Sequence, residues 1–162
     1  MIDTTDGIIL NILQSNARTS NAEIARQVDL APSAVFERIR KLEERGVIEG
    51  YTARINPAAI GLPLLAFIFI RDDDKPGDDR AARRVAEIPE VLEVHHVAGE
   101  DCLLVKVRVK DTEALGRLLR DRLGSIATIT STRTTIVLGS VKESSSLSIR
   151  EEAPSEPETV RV

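Results

Sequence analysis

The stretch that decides the fold runs from Ser20 to Gly46 and reads SNAEIARQVDLAPSAVFERIRKLEERG. Ser20-Asn21-Ala22-Glu23 has the spacing of a capping box, in which the serine oxygen and the glutamate each satisfy a free N–H at the start of a helix. That helix is expected to run to Val28. Asp29-Leu30-Ala31 leaves room only for a tight turn, and Pro32 suits the first position of another helix because its missing N–H would be unpaired there anyway. Val35, Ile39 and Leu42 then recur at i, i+4 and i+7 as a buried stripe. Arg45-Gly46 ends the third helix, since glycine takes the left-handed conformation common at helix C-termini. The opposite face holds Ser33, Ala34, Glu37, Arg38, Arg40 and Lys41. A short turn between helices, small or hydrogen-bonding residues opening the second, and cations along its flank are what insertion into a major groove requires. In that setting Arg38 is expected to pair bidentately with guanine and Ser33 to reach a base edge or phosphate. Arg18, Arg26, Arg40, Lys41 and Arg45 are expected to neutralise phosphates. Periodicity alone is equally satisfied by an ordinary three-helix bundle whose charged face is simply solvated.

Upstream, Ile9, Ile12 and Leu13 share one face after Asp3 or Thr4, giving a first helix over about residues 3–15 that Gly7 weakens slightly. Downstream, Tyr51 to Ile55 alternates as a strand should, and Asn56-Pro57 and Gly61-Leu62-Pro63 punctuate a connector. From Leu64 the pattern reads β-α-β-β-α-β: 64–70, 78–87, 91–97, 103–109, 111–123 and 127–138. The fold class expected is α+β, a winged-helix-like helix-turn-helix followed by a ferredoxin-like sandwich. The boundaries are 1–50 for the helical domain, 51–63 for the linking strand and connector, 64–142 for the sandwich and 143–162 for a tail. Leu64 to Ile70 is apolar at both parities, so both faces of that strand should be covered. Two helices cover only one face; the other calls for a second subunit, or for the chain's own connector and tail. Leu115, Leu118, Leu119 and Leu123 should face the sheet.

The chain has 162 residues and a formal net charge of −4, a sum that taken alone disfavours nucleic acid. Split by segment, residues 1–60 carry seven Lys/Arg against eight Asp/Glu, residues 61–142 thirteen of each, and residues 143–162 two against five. The acid surplus lies mostly in the tail, and phosphate neutralisation is local, so the position of charge decides. The last dozen residues, rich in Ser, Pro and Glu, are expected to be disordered. The longest apolar run, Leu62 to Ile70, is far short of the ~18 residues of a membrane span, and the polar start is unlike a leader, so the protein is expected in the cytoplasm. One cysteine, Cys102, beside His95 and His96 supplies neither a disulfide nor a zinc ligand set, and it reads as a small apolar filler. Adjacent in a strand, the two histidines must point to opposite faces. No cofactor is expected.

Seven stretches raise this reading above a generic bundle. Asp3-Thr4-Thr5-Asp6-Gly7-Ile8-Ile9-Leu10 resembles the Asp-x-x-Asp-x-x-Ile-Leu opening of the Lrp/AsnC family of regulators. Arg18 to Ala25, Pro32 to Glu43 and Gly46 to Tyr51 are similar to that family's helix-turn-helix and its exit. Val97 to Leu104 resembles its Gly-x-x-Asp-centred effector turn, and Thr132 to Leu138 with Val141-Lys142-Glu143 its last strand. The resemblance implies a transcription regulator that binds double-stranded DNA as a homodimer, assembles into a tetramer or octamer, and senses a small molecule, in the family an amino acid. It also implies that the 51–55 strand pairs between protomers, and that the effector site comprises Ala98, Gly99, Glu100, Asp101 and Cys102. Thr128, Thr130, Thr132 and Thr134 alternate onto one strand face, from which Thr132 and Thr134 can offer hydroxyls to a ligand. Backbone amides near a glycine can hold a carboxylate, and an acidic side chain an ammonium. Two departures bear on this: Cys102 stands where aspartate is common, so Glu100 or Asp101 would hold the amino group, and Leu103 where an aromatic is common. Ala31 replaces a frequent serine N-cap, at a cost of about 1 kcal/mol to the third helix. A plain glycine hairpin is the bland account of the turn, and β-propensity that of the threonines. No base–nucleophile set, paired carboxylates or phosphate loop points to an enzyme. A stand-alone amino-acid-binding or oligomeric scaffold is the rival, and it predicts no specific DNA affinity.

Overall fold

The structure, a computed structural model, describes residues 2–73, 78–99 and 101–149. Glu100 and the Ser/Pro/Glu-rich end expected to be disordered lie outside the described residues. The chain divides into a helical unit, Met1–Ala53 with Glu143–Val162, and a second unit, Arg54–Lys142.

In the helical unit α1 spans Thr4–Ser15, α2 Asn21–Val28 and α3 Pro32–Glu44. The reciprocal capping box forms at Asp3 and Asp6. The Asp3 carboxylate accepts from the Asp6 N–H at 2.7 Å, and that of Asp6 accepts from the Asp3 N–H, more loosely, at 3.5 Å. At Ser20 only half of the expected box is made: its hydroxyl accepts from the Glu23 N–H at 3.2 Å, while the Glu23 carboxylate pairs with Arg26 one turn along. An arginine three residues ahead on the same face offers that carboxylate a full charge, which a single N–H does not. Asp29 closes α2 in the left-handed region at φ 52°. Ala31 opens α3 without a side-chain cap, as its lack of an oxygen dictates, and Gly46 follows α3 at φ 67°. Ile9, Ile24, Ala25 and Val35 form the core, with Ile12, Leu13, Val28 and Ile39 packed against it.

A segment after the last strand completes this unit. The Gln14 amide donates to the Leu147 carbonyl at 3.1 Å and accepts the Leu147 N–H at 2.7 Å, so one side chain acts as a neighbouring strand would. Asn11 Nδ2 donates to the Ile149 carbonyl at 3.3 Å. A Cβ on Gly7 would sit 3.4 Å from Ile149 Cγ2, so the glycine that weakens α1 is also where the returning chain lies.

The second unit is a four-stranded antiparallel sheet in the order β2-β3-β1-β4, from β1 (Leu64–Asp72), β2 (Val91–His96), β3 (Leu103–Val109) and β4 (Ile129–Ile136). Its helices are α4 (Arg80–Ala86) and α5 (Thr112–Arg117), the latter continuing through a π-helical turn, Leu118–Arg122, and a 3-10 turn, Leu123–Ser125. This βαββαβ order is the ferredoxin-like sandwich. Ala66, Ile68 and Ile70 of β1 and Leu103, Val105, Val107 and Val109 of β3 are buried with Ala81, Val85, Leu115, Leu118 and Leu123. Leu119 is only half-buried at the margin of that core. On the other parity of β1, Leu65 is buried while Phe67 and Phe69 are half-buried, with Arg133 stacked 4.1 Å over the Phe69 ring. Residues 51–55, expected as a strand, carry no strand pairing in the single chain and are exposed. An extended segment becomes a strand only when a second strand bonds its backbone along its length. Among the described residues no helix is long and apolar enough to cross a membrane.

Candidate functional site

The α3 surface divides cleanly. Val35 and Leu42 are buried and Ile39 is half-buried, whereas Ser33, Phe36, Glu37, Arg40 and Lys41 are exposed. Ala34 is half-buried at the edge of that face. The expected role of Arg38 is not supported by where it lies. Its Nη1 donates to Asp3 Oδ2 and to Asp6 Oδ1, both at 2.7 Å, and its side chain is 34% exposed. Asp6 is buried, 8% exposed, and a carboxylate removed from water needs a cation and hydrogen bonds around it. The guanidinium supplies both, so Arg38 ties α3 to the start of α1 instead of facing outward. The carboxylates of Asp3 and then Asp6 raise the Arg38 pKa above its ordinary value. The Asp6 N–H, then Arg38, hold the Asp3 carboxyl below its usual range.

The remaining cations differ in what they have to give. Arg40 is bracketed on its own helix by Glu37, at 3.0 Å, and by Glu44. Arg26 is paired with Glu23. Arg45 also has partners within the chain. Lys41 and Arg18 are exposed and have no ion-pair partner among the described residues. A concavity of about 320 Å³ beside α3 is lined by Asp6, Ala34, Glu37, Arg38, Lys41, Leu42 and Arg45. At the exit of the helical unit the Tyr51 hydroxyl donates to Glu43 at 2.9 Å, and burial together with that carboxylate pushes its pKa up to about 12.

In the sheet unit the β2–β3 turn carries Ala98 and Gly99, exposed, and Asp101 and Cys102, half-buried. Gly99 sits at φ 152°, which a side chain rarely adopts. The Cys102 N–H donates to the Ile70 carbonyl at 2.8 Å and the Val97 N–H to the Cys102 carbonyl at 3.0 Å, so the turn is pinned to the end of β1. Cys102 Sγ lies 3.8 Å from the Asp72 carbonyl. The Asp101 carboxylate takes Arg133 Nη2 at 2.8 Å. Thr132 stands opposite Ile70 and Thr134 opposite Ile68, on the strand that β1 separates from β3. Thr130 Oγ1 donates to the Arg71 carbonyl at 3.1 Å, while Thr128 precedes β4 and is off the strand. His95 and His96 face opposite ways, His95 toward Glu93 at 3.3 Å and His96 toward Asp79 at 3.4 Å.

Residues 65–147 match the family model of the Lrp/AsnC ligand-binding domain, and residues 2–49 that of a winged helix-turn-helix DNA-binding domain. The chain belongs to the Lrp/AsnC family. It is 40% identical over 150 residues to the HTH-type transcriptional regulator FL11 of Pyrococcus horikoshii, covering 92% of this chain and 97% of that one. The leucine-responsive regulatory protein of Escherichia coli K12 is 37% identical over 151 residues, 92% of each chain. Among solved structures, a Neisseria meningitidis transcriptional regulator in complex with L-Met superposes with a TM-score of 0.86 at 32% identity, covering 91% of this chain and 97% of its own. A feast or famine regulatory protein from M. tuberculosis complexed with L-methionine gives a TM-score of 0.85 at 39% identity, covering 93% and 100%.

This Lrp/AsnC chain is therefore a DNA-binding transcription regulator with a small-molecule-binding domain. Two of its features escaped the sequence reading. Phe36, 53% exposed, lies on the outward face of α3 among the residues singled out for DNA, but an aromatic in a helical pattern reads first as core. The Arg38 clamp spans 35 residues to Asp3, and only the recurrence of acids at Asp3 and Asp6 hinted at it.

Proposed function

We propose that this regulator reads its operator with α3, the helix lying in the major groove with Ser33 and Ala34 toward base edges. Lys41, Arg18, Arg26, Arg40 and Arg45 then meet phosphates, and Arg38 holds α3 in place from behind. The observation that carries this is the exposed run from Ser33 to Lys41 on a helix whose other side is buried against α1 and α2. Of the cations, Lys41 and Arg18 can bind phosphate without first breaking an ion pair, so they contribute most of the electrostatic affinity. Two such heads must act together to read half-sites about 34 Å apart, which makes the binding species a homodimer. The half-buried Phe67 and Phe69 on the sheet face opposite the helices support pairing through that face, and the exposed 51–55 segment supports a second strand contact between protomers. Larger rings, a tetramer or octamer, are built from these dimers.

The effector is an amino acid, as the L-methionine complexes of the two similar regulators suggest, and the setting is the cytoplasm, where DNA and free amino acids meet. It sits at the Gly99 turn, with backbone amides on its carboxylate and Asp101 on its ammonium, beside Thr132. Mobility-shift assays on duplexes selected from a random pool test the DNA half. Replacing Lys41 and Arg18 by alanine is expected to lower affinity and to reduce the slope of log affinity against log salt by about 4, two contacts being lost from each protomer of the dimer. An unchanged slope would remove these residues from the interface. A thermal-shift screen against the standard amino acids tests the sensing half, because a ligand bound only by folded protein raises its melting temperature.

A further inference from the structure

Three phenylalanines and one tyrosine are the only aromatic residues of this chain. Phe67 and Phe69 are half-buried in the sheet, whereas Phe36 stands more than half in water. An isolated exposed apolar side chain needs no explanation in general. Phe36 differs because of what surrounds it. Residues 33, 36, 37 and 40 follow one another at three- and four-residue steps along a single stripe of α3. In that stripe Glu37 and Arg40 are paired with each other, and Arg40 also with Glu44. Arg38, the other arginine of the helix, is held by Asp3 and Asp6. What the stripe still offers a base edge is the Ser33 hydroxyl and the Phe36 ring. In the DNA-binding domain Leu30 of the preceding turn, 36% exposed, adds to this apolar character.

Among the groups lining the major groove, the apolar one is the C5-methyl of thymine; the others are hydrogen-bond donors and acceptors that a phenyl ring would leave unpaired. We propose that Phe36 is a specificity-determining residue that reads a thymine methyl in each half-site, an inference that rests on α3 being the DNA-reading helix. The contact contributes by removing apolar surface from water and discriminates against cytosine, which presents a donor and no methyl at that place.

Replacing single thymines by deoxyuridine removes the methyl and leaves every hydrogen-bonding group in place. With a duplex selected from a random pool, uracil at one position of each half-site is expected to weaken the wild type about fourfold per site, the effect of one buried methyl. Phe36→Ala, which should fold because the side chain is exposed, is expected to bind thymine and uracil duplexes within twofold of each other at that position. Phe36→Leu should keep part of the discrimination. Uracil tolerated at every position by the wild type, or an equal uracil penalty in Phe36→Ala, overturns this inference while leaving α3 as the reading helix. Failure of the wild type to select any duplex overturns the DNA-reading proposal and this one with it. A change in oligomeric state on sizing Phe36→Ala would place the ring in a protein interface and overturn the thymine contact.

Discussion

On α3, Arg38 is taken up by Asp3 and Asp6; at the Gly99 turn, Asp101 is taken up by Arg133. Both residues had been expected to touch a ligand, and both are instead paired within the chain. The consequences differ because the pairs sit differently. The Arg38 cluster lies behind its helix with one carboxylate buried, so it stabilises the platform and leaves the outward face clear. The Asp101 pair lies on the candidate site itself with Arg133 largely exposed, so a ligand's ammonium would compete with the guanidinium for one carboxylate. A pair that supports a surface and a pair that occupies one should respond in opposite ways to removal.

The largest effect is expected for Arg38→Ala, which leaves Asp6 buried and unpaired. Because the guanidinium is about one-third exposed, the cost falls below that of a fully buried pair, at about 2 kcal/mol of helical-unit stability by urea unfolding. Preserved stability with DNA affinity abolished would make Arg38 a base-reading residue and break the comparison. The acid limb follows from Asp3. Its folded-state pKa is depressed, so its contribution is present above its unfolded value near 3.8 and is lost as pH falls through the lower folded value. Asp3→Asn should flatten the fall in stability below about pH 4.

Next in size, Asp101→Asn is expected to weaken amino-acid binding roughly tenfold, about 1.4 kcal/mol, in a calorimetric titration. Arg133→Ala should tighten it by freeing the carboxylate. Weaker binding in both variants would make the pair a support, as at Arg38. Gln14→Ala removes both bonds to Leu147 and is expected to cost about 1 kcal/mol, with faster amide exchange at Leu147. Unchanged exchange there would show that the returning segment is not held by α1. The smallest effect is a gain: Ala31→Ser supplies the missing cap of α3 and should raise stability by about 0.5–1 kcal/mol in the same urea experiment.

Much of the architecture was legible because its signals are local. Ser20, Pro32 and Gly46 mark helix ends through groups within a few residues, and Val35 and Leu42 are buried as their spacing requires. The strand from Leu103 to Val109 alternates buried and half-buried along its whole length. Capping was legible as a need and less so as a choice of partner: Glu23 abandoned its box for Arg26.

The sequence by itself determined the order of the helices and strands, with ends a few residues off and a 51–55 strand that the single chain does not form, which stripes are apolar, and that a helix-turn-helix precedes a βαββαβ sandwich. These depend on backbone geometry and side-chain period over neighbouring residues. Only the tertiary structure decided which charges remain available. Arg38 meets acids 32 and 35 positions away, Arg133 an acid 32 away, and Gln14 a backbone 133 away. An ion pair forms where packing brings two groups within a few ångströms, and each arginine had carboxylates nearer in sequence than those it took, Glu37 and Glu43 for Arg38 and Asp121 for Arg133. Burial then set the outcome, because Asp6, once removed from water, had to be given a cation.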